Sequence, residues 1–358
     1  MATIQDVARR AGVSVSTVSN VLNDRADRMR PQTFKRVEAA IQALQFRPSK
    51  LAQQLKTGQT PLLGLLVPSM GNPMYGFIAS EVETAARDLC GYRLLIGSTQ
   101  RDAAMEASFF DDLLAHGVRR VIVISSLVDE HHFENAAERG MAVISYDRRA
   151  TPGRRSRVSH VTPDNHEAAR MAAAYLIAHG HEQLAFATVA GMTMSRSAKI
   201  AGFQAAANAA GLRKSAKVID GGPLDRYGDA VIGDVGRAIG ARLAALTSRP
   251  TGIVALNDLM ALGLMAGLRD GGLRVPEDAS VIGIDGLALG AFNSPPLTTV
   301  QLPVSEMARA MVKEAMAPRE RAEDHEIIFA PAGLIERGSV ASMRAKAASA
   351  GKRRVVRS

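Results

Sequence analysis

Between Val15 and Leu22 the sequence VSTVSNVL places small hydroxyl and amide side chains among apolar ones. At about 100° per residue, Val18, Val21 and Leu22 share one helix face. Ser16 and Asn20 fall on the opposite face, flanked by Thr17 and Ser19. Short donors and acceptors on one exposed face suit close approach to the wall of a DNA major groove; they equally suit the Ser-rich surface of a small helical bundle. A second set lies far along the chain. Asp147 follows the apolar run MAVISY, Asn257 follows GIVAL, Asp285 ends SVIGID, and Lys199 sits in a helical stretch before Gly202-Phe203. Open α/β sheets bind ligands beyond their strand ends, and an Asp or Asn there also caps the next helix. Catalytic signatures are missing: no GxGxxG follows the first strand, and there is no GxxxxGK[ST] and no GxSxG. His131-His132 show no metal-ligand spacing, and His179 and His181 flank Gly180 at a helix end. Cys90 is the single cysteine, so an intrachain disulfide and a cysteine metal cluster are both impossible. No cofactor is expected.

These residues need elements to hold them. Thr3 and Asp6 have the spacing of a capping box for a helix with Ile4, Val7, Ala8 and Ala11 on one face. Gly12 breaks that helix, and Ser14 can cap the next, from Val15 to about Leu22. A third follows Pro31, with Val37, Ile41 and Leu44 inward. Two short helices across a tight Gly turn describe a helix-turn-helix. Residues 48–60 read as a two-turn helical piece and a polar linker. Beyond them, LLGLLVP (62–68), YRLLIGS (92–98), RRVIVISS (119–126) and MAVISY (141–146) alternate with helical stretches. The plan repeats after residue 163 through QLAFATV, AKVID, GIVAL and SVIGID. Strands apolar on both faces, separated by helices, mean parallel sheets covered on both sides. The expectation is an α/β body of two similar lobes with a ligand cleft between them.

The chain has 358 residues, 47% hydrophobic and 22% charged, in the range of globular proteins. No apolar stretch is long enough for a membrane helix, and the N-terminus lacks a secretory pattern, so a reducing cytoplasm is expected. The net charge of +9 is segregated. Residues 1–60 carry +6 and residues 341–358 carry another +6, leaving −3 for the body. A basic end of domain size points to a polyanion partner. The Ala/Ser/Lys/Arg-rich segment 341–358 reads as a basic disordered tail.

The run TIQDVARRAGVSVSTVSNVLN (3–23) followed by RPQTFKRVEAAIQALQFRPSKLAQQLKTG (30–58) resembles the headpiece and hinge of the lactose-repressor (LacI/GalR) family. The body supports it through NPMYGF (72–77), DRRATPG (147–153), AGFQAA (201–206), NDLMALG (257–263), VPEDASVIGIDG (275–286), PPLTTVQLP (295–303) and LIERGS (334–339). The resemblance implies an α/β fold: a helix-turn-helix headpiece plus a two-lobed, periplasmic-binding-protein-like body of parallel-sheet subdomains. The implied domains are a DNA-binding headpiece at 1–47, a hinge at 48–60 and an effector-binding and dimerisation domain at 61–340. Its first lobe takes about 61–162 plus 291–323, and its second about 163–290 plus 324–340.

By that resemblance, Val15, Ser16 and Asn20 occupy base-reading positions, and Thr17 and Ser19 would hold phosphates. Asn20 stands where many members carry Arg; Asn suits adenine N6/N7, whereas Arg prefers guanine. Leu55 and Lys56 match the hinge residues of which the Leu wedges open a minor-groove step; a passive linker is the other reading. In the body, Tyr75, Asp147, Lys199, Asn257 and Asp285 match effector-contacting positions. Sugar stacking falls to Tyr75, Phe77 or Phe292, since the chain has no Trp. The implied function is a DNA-binding transcriptional regulator, a repressor in the first reading, controlled by a sugar or sugar acid. An activator or a corepressor-dependent repressor would use the same scaffold. The expected partners are double-stranded operator DNA, the effector and a second copy in a homodimer, with a tetramer as the larger option. The rivals, an exported binding protein and a sugar-modifying enzyme, would need an export signal or a catalytic arrangement.

Overall fold

A computed structural model describes residues 2–22, 29–46, 61–100, 102–125, 131–150, 156–190, 193–222, 230–318 and 325–343. By its internal contacts the chain divides into two units, 1–60 and 61–358.

The first unit is a three-helix cluster: α1 (Ile4–Ala11), α2 (Val15–Leu22) and α3 (Pro31–Ala43). The Thr3 N–H donates to Asp6 Oδ2 at 2.9 Å and the Asp6 N–H to Thr3 Oγ1 at 3.3 Å, closing the capping box. Gly12, at φ 63°, ends α1 in the left-handed region that glycine enters without a Cβ clash. Val7, Ala8, Ala11, Val18, Val21, Val37 and Ala40 form the core; Ile41 and Leu44 are half-buried against it. Arg36 Nε donates to the Ala11 carbonyl at 3.0 Å and Nη2 to the Gly12 carbonyl at 3.0 Å. A guanidinium from α3 therefore pins the turn that sets the direction of α2.

The second unit contains β1 (Leu62–Val67), α4 (Pro73–Cys90), β2 (Arg93–Ser98), α5 (Ala103–Ala115), β3 (Arg120–Ile124), α6 (His131–Glu138), β4 (Ala142–Tyr146) and β5 (Ser159–Pro163). Then follow α7 (Asn165–Ala178), β6 (Leu184–Thr188), α8 (Met194–Ala209), β7 (Ala216–Asp220), α9 (Ala230–Ala244), β8 (Gly252–Ala255), α10 (Asp258–Asp270) and β9 (Ser280–Asp285). After a 3-10 turn (Ala288–Phe292) come β10 (Thr298–Gln301), α11 (Val304–Met316), β11 (Glu326–Phe329) and β12 (Gly333–Ile335). Two six-stranded sheets result, in the orders β11-β5-β4-β3-β1-β2 and β12-β10-β9-β8-β6-β7. All pairings are parallel except β10 with β12. The inner strands are buried on both faces, as the continuous apolar runs require.

Strand pairing corrects the lobe boundaries. The segment 291–323 was assigned whole to the first lobe, but β10 pairs with β9 and so belongs to the second sheet; only α11, which packs on α4, β3, β4 and β5, lies in the first lobe. Likewise β11, assigned to the second lobe, pairs with β5 in the first. Apolar pattern marks a strand but not its neighbour, so the crossings after β10 and β11 were invisible to it. The chain thus passes between lobes three times: after β5, after β10 and after β11.

The start of the basic tail is also corrected. The Ala341 N–H donates to Ser280 Oγ at 3.0 Å and the Met343 N–H to the His179 carbonyl at 2.9 Å, so residues 341–343 are held on the second lobe. Residues 344–358 lie outside the described residues.

Candidate functional site

On α2 the expected polar face is outward. Ser16 and Asn20 are exposed, Val15 is 42% exposed, and Thr17 and Ser19 are half-buried beside the core residues Val18 and Val21. Ser14 Oγ accepts from the Thr17 N–H at 3.1 Å and lies 2.8 Å from Thr17 Oγ1, so Thr17 is engaged with the helix cap. Leu55 and Lys56 lie outside the described residues.

The second unit contains a cleft of about 670 Å³, including its open mouth, within the usual size for small-molecule sites. Its walls come from both lobes, at strand ends and the first turns of α4, α7, α8, α9 and α10. Tyr75, Asp147, Lys199, Asn257 and Asp285 all line it, although they are spread over 211 positions of sequence. Phe292 does not: it is 84% exposed at the end of the 3-10 turn. In that turn Gly290 faces inward, where an added Cβ would come within 3.1 Å of Arg337 and 3.2 Å of Leu297, so Phe292 is directed away. Phe77 is 40% exposed on α4 and also outside the lining. The aromatic residues of the lining are Tyr75 and Tyr146.

Two buried carboxylates define the floor and one side. Asp147 sits at φ 65°, a strained position for a non-glycine residue, and its Oδ1 accepts from Asn165 Nδ2 at 2.8 Å. Asp285, at φ 153°, is 6% exposed, and its Oδ2 has no hydrogen-bond partner. Behind it lies Asp258, fully buried, with Oδ1 accepting from Thr299 Oγ1 at 2.5 Å and Oδ2 from the Leu287 N–H at 2.8 Å. Gly283 makes room for that carboxyl; a Cβ there would fall 2.1 Å from Asp258 Oδ1. Burial raises Asp258 to about 6 against its hydrogen bonds. Burial, and then the charge of Asp258, push Asp285 well above the usual carboxylate range, with Lys199 pulling the other way. Burial also holds Tyr146 well above its ordinary value, so it meets a ligand as a neutral phenol.

The opposite wall is α8. Gly202 lets it press onto α7, since a Cβ there would fall 1.9 Å from the His166 carbonyl. That contact places Lys199, 8% exposed, with Nζ donating to the Leu256 carbonyl at 3.2 Å. Asn257 fulfils both readings of a strand-end amide: its Oδ1 accepts from the Met260 N–H at 2.9 Å, capping α10, while it lines the cleft.

The sequence reading missed Arg196, Asn165, Thr193, Ser195, Asn72 and Tyr146. Arg196 was recoverable, because it precedes Lys199 by three residues and so shares its helix face. Asn165 and Asn72 each lie at a helix start after a predicted strand, the same position that marked Asn257.

Comparison with known proteins covers both units. The family described as bacterial regulatory proteins, lacI family, matches residues 3–49, and a periplasmic binding protein-like domain matches residues 173–340. The HTH-type transcriptional repressor PurR of Aliivibrio fischeri (strain ATCC 700601 / ES114) is 31% identical over 330 residues, covering 91% of this chain and 94% of that protein. Among solved structures, the lac repressor dimer bound to operator and the anti-inducer ONPF superposes with a TM-score of 0.79 at 23% identity, over 95% of this chain and 99% of that one. The complex of the regulator CelR with cellobiose superposes with a TM-score of 0.67 at 25% identity, over 95% and 100% of the two chains.

Proposed function

The chain belongs to the LacI family of bacterial regulatory proteins, and on that premise we propose that it is an operator-binding repressor whose DNA affinity is set by a sugar or sugar acid held in the cleft. The observation that carries the effector reading is the pair Lys199 and Asp285. Both are more than nine-tenths buried in one cleft, and Asp285 Oδ2 has no partner. Among the described residues no carboxylate lies within 4.0 Å of Lys199 Nζ. A buried polar group left unmatched costs stability unless a ligand supplies the match. A ligand hydroxyl, donor and acceptor at once, can serve both groups. PurR is named a repressor, and the CelR complex contains cellobiose; these names support the same reading here.

The roles follow from geometry and chemistry. Val15, Ser16 and Asn20 face bases in the major groove, and Thr17 and Ser19 hold the backbone beside them. Leu55 wedges a minor-groove step, with Lys56 on the phosphates. Tyr75 stacks on the ligand, and Asp147, Asn257, Lys199 and Asp285 take its polar groups. One helix-turn-helix reads one half-site, so the working form is a homodimer. Exposed Leu95 and Ile96 on the edge strand β2, and exposed Phe292, are apolar surface for a second copy to cover. The protein acts in the cytoplasm as a binding switch rather than an enzyme; no described helix is long and apolar enough to cross a membrane. Because the chain crosses between the lobes three times, a ligand that favours one lobe arrangement changes operator affinity, and operator changes ligand affinity by the same factor.

Two measurements test this. Operator binding with and without ligand, after a thermal-shift screen of sugars and sugar acids, should show coupled affinities; equal operator affinity at saturating ligand removes the switch. End-to-end energy transfer on operator DNA should show a smaller bend with Leu55→Ala than with the parent protein, and an unchanged bend makes the hinge a passive linker.

A further inference from the structure

The cleft is electrically lopsided. Arg196 and Lys199 stand three residues apart on α8, 9% and 8% exposed, and both line the cleft. Between them in the lining is the first turn of the same helix, with Thr193 and Ser195, whose backbone carries the positive end of the helix dipole. Lys199 donates to a single main-chain carbonyl at 3.2 Å, so its remaining protons are directed to the cleft. Arg196 Nη1 donates to the Ala190 carbonyl at 2.8 Å, which fixes the plane of its guanidinium beside the same wall.

The carboxylates do not balance these cations. Asp147 faces them from the other lobe, already engaged by Asn165. Asp285 is buried against Asp258, and two carboxyls that close resist double ionisation, so the Asp285 carboxyl favours its neutral form. Two buried cations then face one ionised carboxylate. Burying a cation is expensive unless a charged partner completes it, and a neutral polyol offers only neutral oxygens.

We propose that the effector is a carboxylate-bearing polyol, its carboxylate taken by Lys199 and Arg196 while its hydroxyls reach Asp147, Asn165 and Asn257. This rests on the reading of the cleft as the effector site and adds the charge of the ligand. It makes Arg196 a selectivity residue: Lys199 alone would serve a hydroxyl, whereas two cations on one helix face match the two oxygens of a carboxylate. The neutral Asp285 carboxyl then acts as a donor to the ligand, a use for the oxygen left unpartnered.

Calorimetric titration of the full chain at fixed ionic strength tests the charge. The probes are D-glucuronate, D-galacturonate and D-gluconate, each against its neutral counterpart D-glucose, D-galactose or D-glucitol, with glucose 6-phosphate and acetate as controls. At least one acid should bind tenfold or more tightly than its neutral counterpart, and acetate should not bind. Arg196→Gln and Lys199→Gln should each weaken that acid roughly tenfold to hundredfold, and Arg196→Lys should recover part of the loss. Circular dichroism melts confirm that the variants fold. The proposal is overturned if no acid binds, if a neutral sugar binds as tightly as its acid, if glucose 6-phosphate binds more tightly than every carboxylate, or if neither Gln variant loses affinity. A neutral sugar whose binding is lost in Asn257→Ala would leave the cleft reading standing while removing the charge. A ligand whose affinity survives Asn257→Ala, Asp285→Asn and Lys199→Gln together would remove both.

Discussion

Val15 on α2 is 42% exposed, whereas Asp285 at the end of β9 is 6% exposed, strained in φ and short of a partner. The first belongs to a surface made by one short helix on a small core of Val and Ala side chains. The second belongs to a cavity to which two sheets and the first turns of several helices contribute. A DNA surface can be flat and solvated, because phosphates supply most of its attraction and water already hydrates its side chains. A small ligand offers few atoms, so its site must be dry, concave and furnished with groups that cost stability while they wait. The difference teaches where each kind of binding energy is stored: in net charge for the headpiece, and in buried, incompletely matched polar groups for the cleft.

Ionic strength should separate the two regions most. Six to ten phosphate contacts imply a loss in operator affinity of about 10³–10⁵ between roughly 50 and 200 mM salt. Ligand affinity in the cleft should move far less, since buried charges are weakly screened. Fluorescence anisotropy on labelled operator, with calorimetry on the ligand, gives both slopes; a flat operator response breaks the comparison at its basic end.

The cleft should show its cost as a pH dependence. In the folded protein Asp258 titrates at about 6, against 3.8 for an ordinary carboxyl. Between these values the native state holds a proton that the unfolded chain has lost, so stability falls as pH rises from about 4 to 6. The loss is on the order of 3 kcal/mol for this one group. Asp258→Asn cannot ionise, so the parent should lose stability relative to it over that interval. Urea unfolding of both proteins from pH 4 to 7 measures the difference; a constant difference means the carboxyl carries no ionisation cost.

Asn20 gives a smaller and more local effect. Its amide can pair with adenine N6 and N7, which predicts an A·T pair at the contacted half-site position with about 1–3 kcal/mol of discrimination. Asn20→Arg should move that preference toward G·C and leave the other positions alone. Randomised-operator selection on both proteins reads it directly. Identical preferences at every position would mean that Asn20 faces phosphate or solvent, and that the headpiece surface is read through residues other than this one.

The sequence by itself determined what is local. The capping box of Thr3 and Asp6, the break at Gly12, the buried stripe of Val18 and Val21 and the outward Ser16 and Asn20 all follow from spacing within one helix or turn, where geometry ties neighbours together. The apolar runs likewise marked the inner strands, because a strand buried on both faces must be continuous in Leu, Val and Ile. Tyr75, Asp147, Lys199, Asn257 and Asp285 were singled out by resemblance at strand and helix ends, and the fold gathers all five. Only the tertiary structure decided which strands pair, and so which lobe owns β10 and β11; a strand's pattern records its burial and not its neighbour. Only it turned Phe292 outward, because the inward place in that turn is held by Gly290 against Arg337 and Leu297. Only it brought Asp258 behind Asp285 and set Arg196 in the same wall as Lys199. Charge and burial act through space, and residues far apart in sequence acquire their chemistry from whichever neighbours the folded chain delivers.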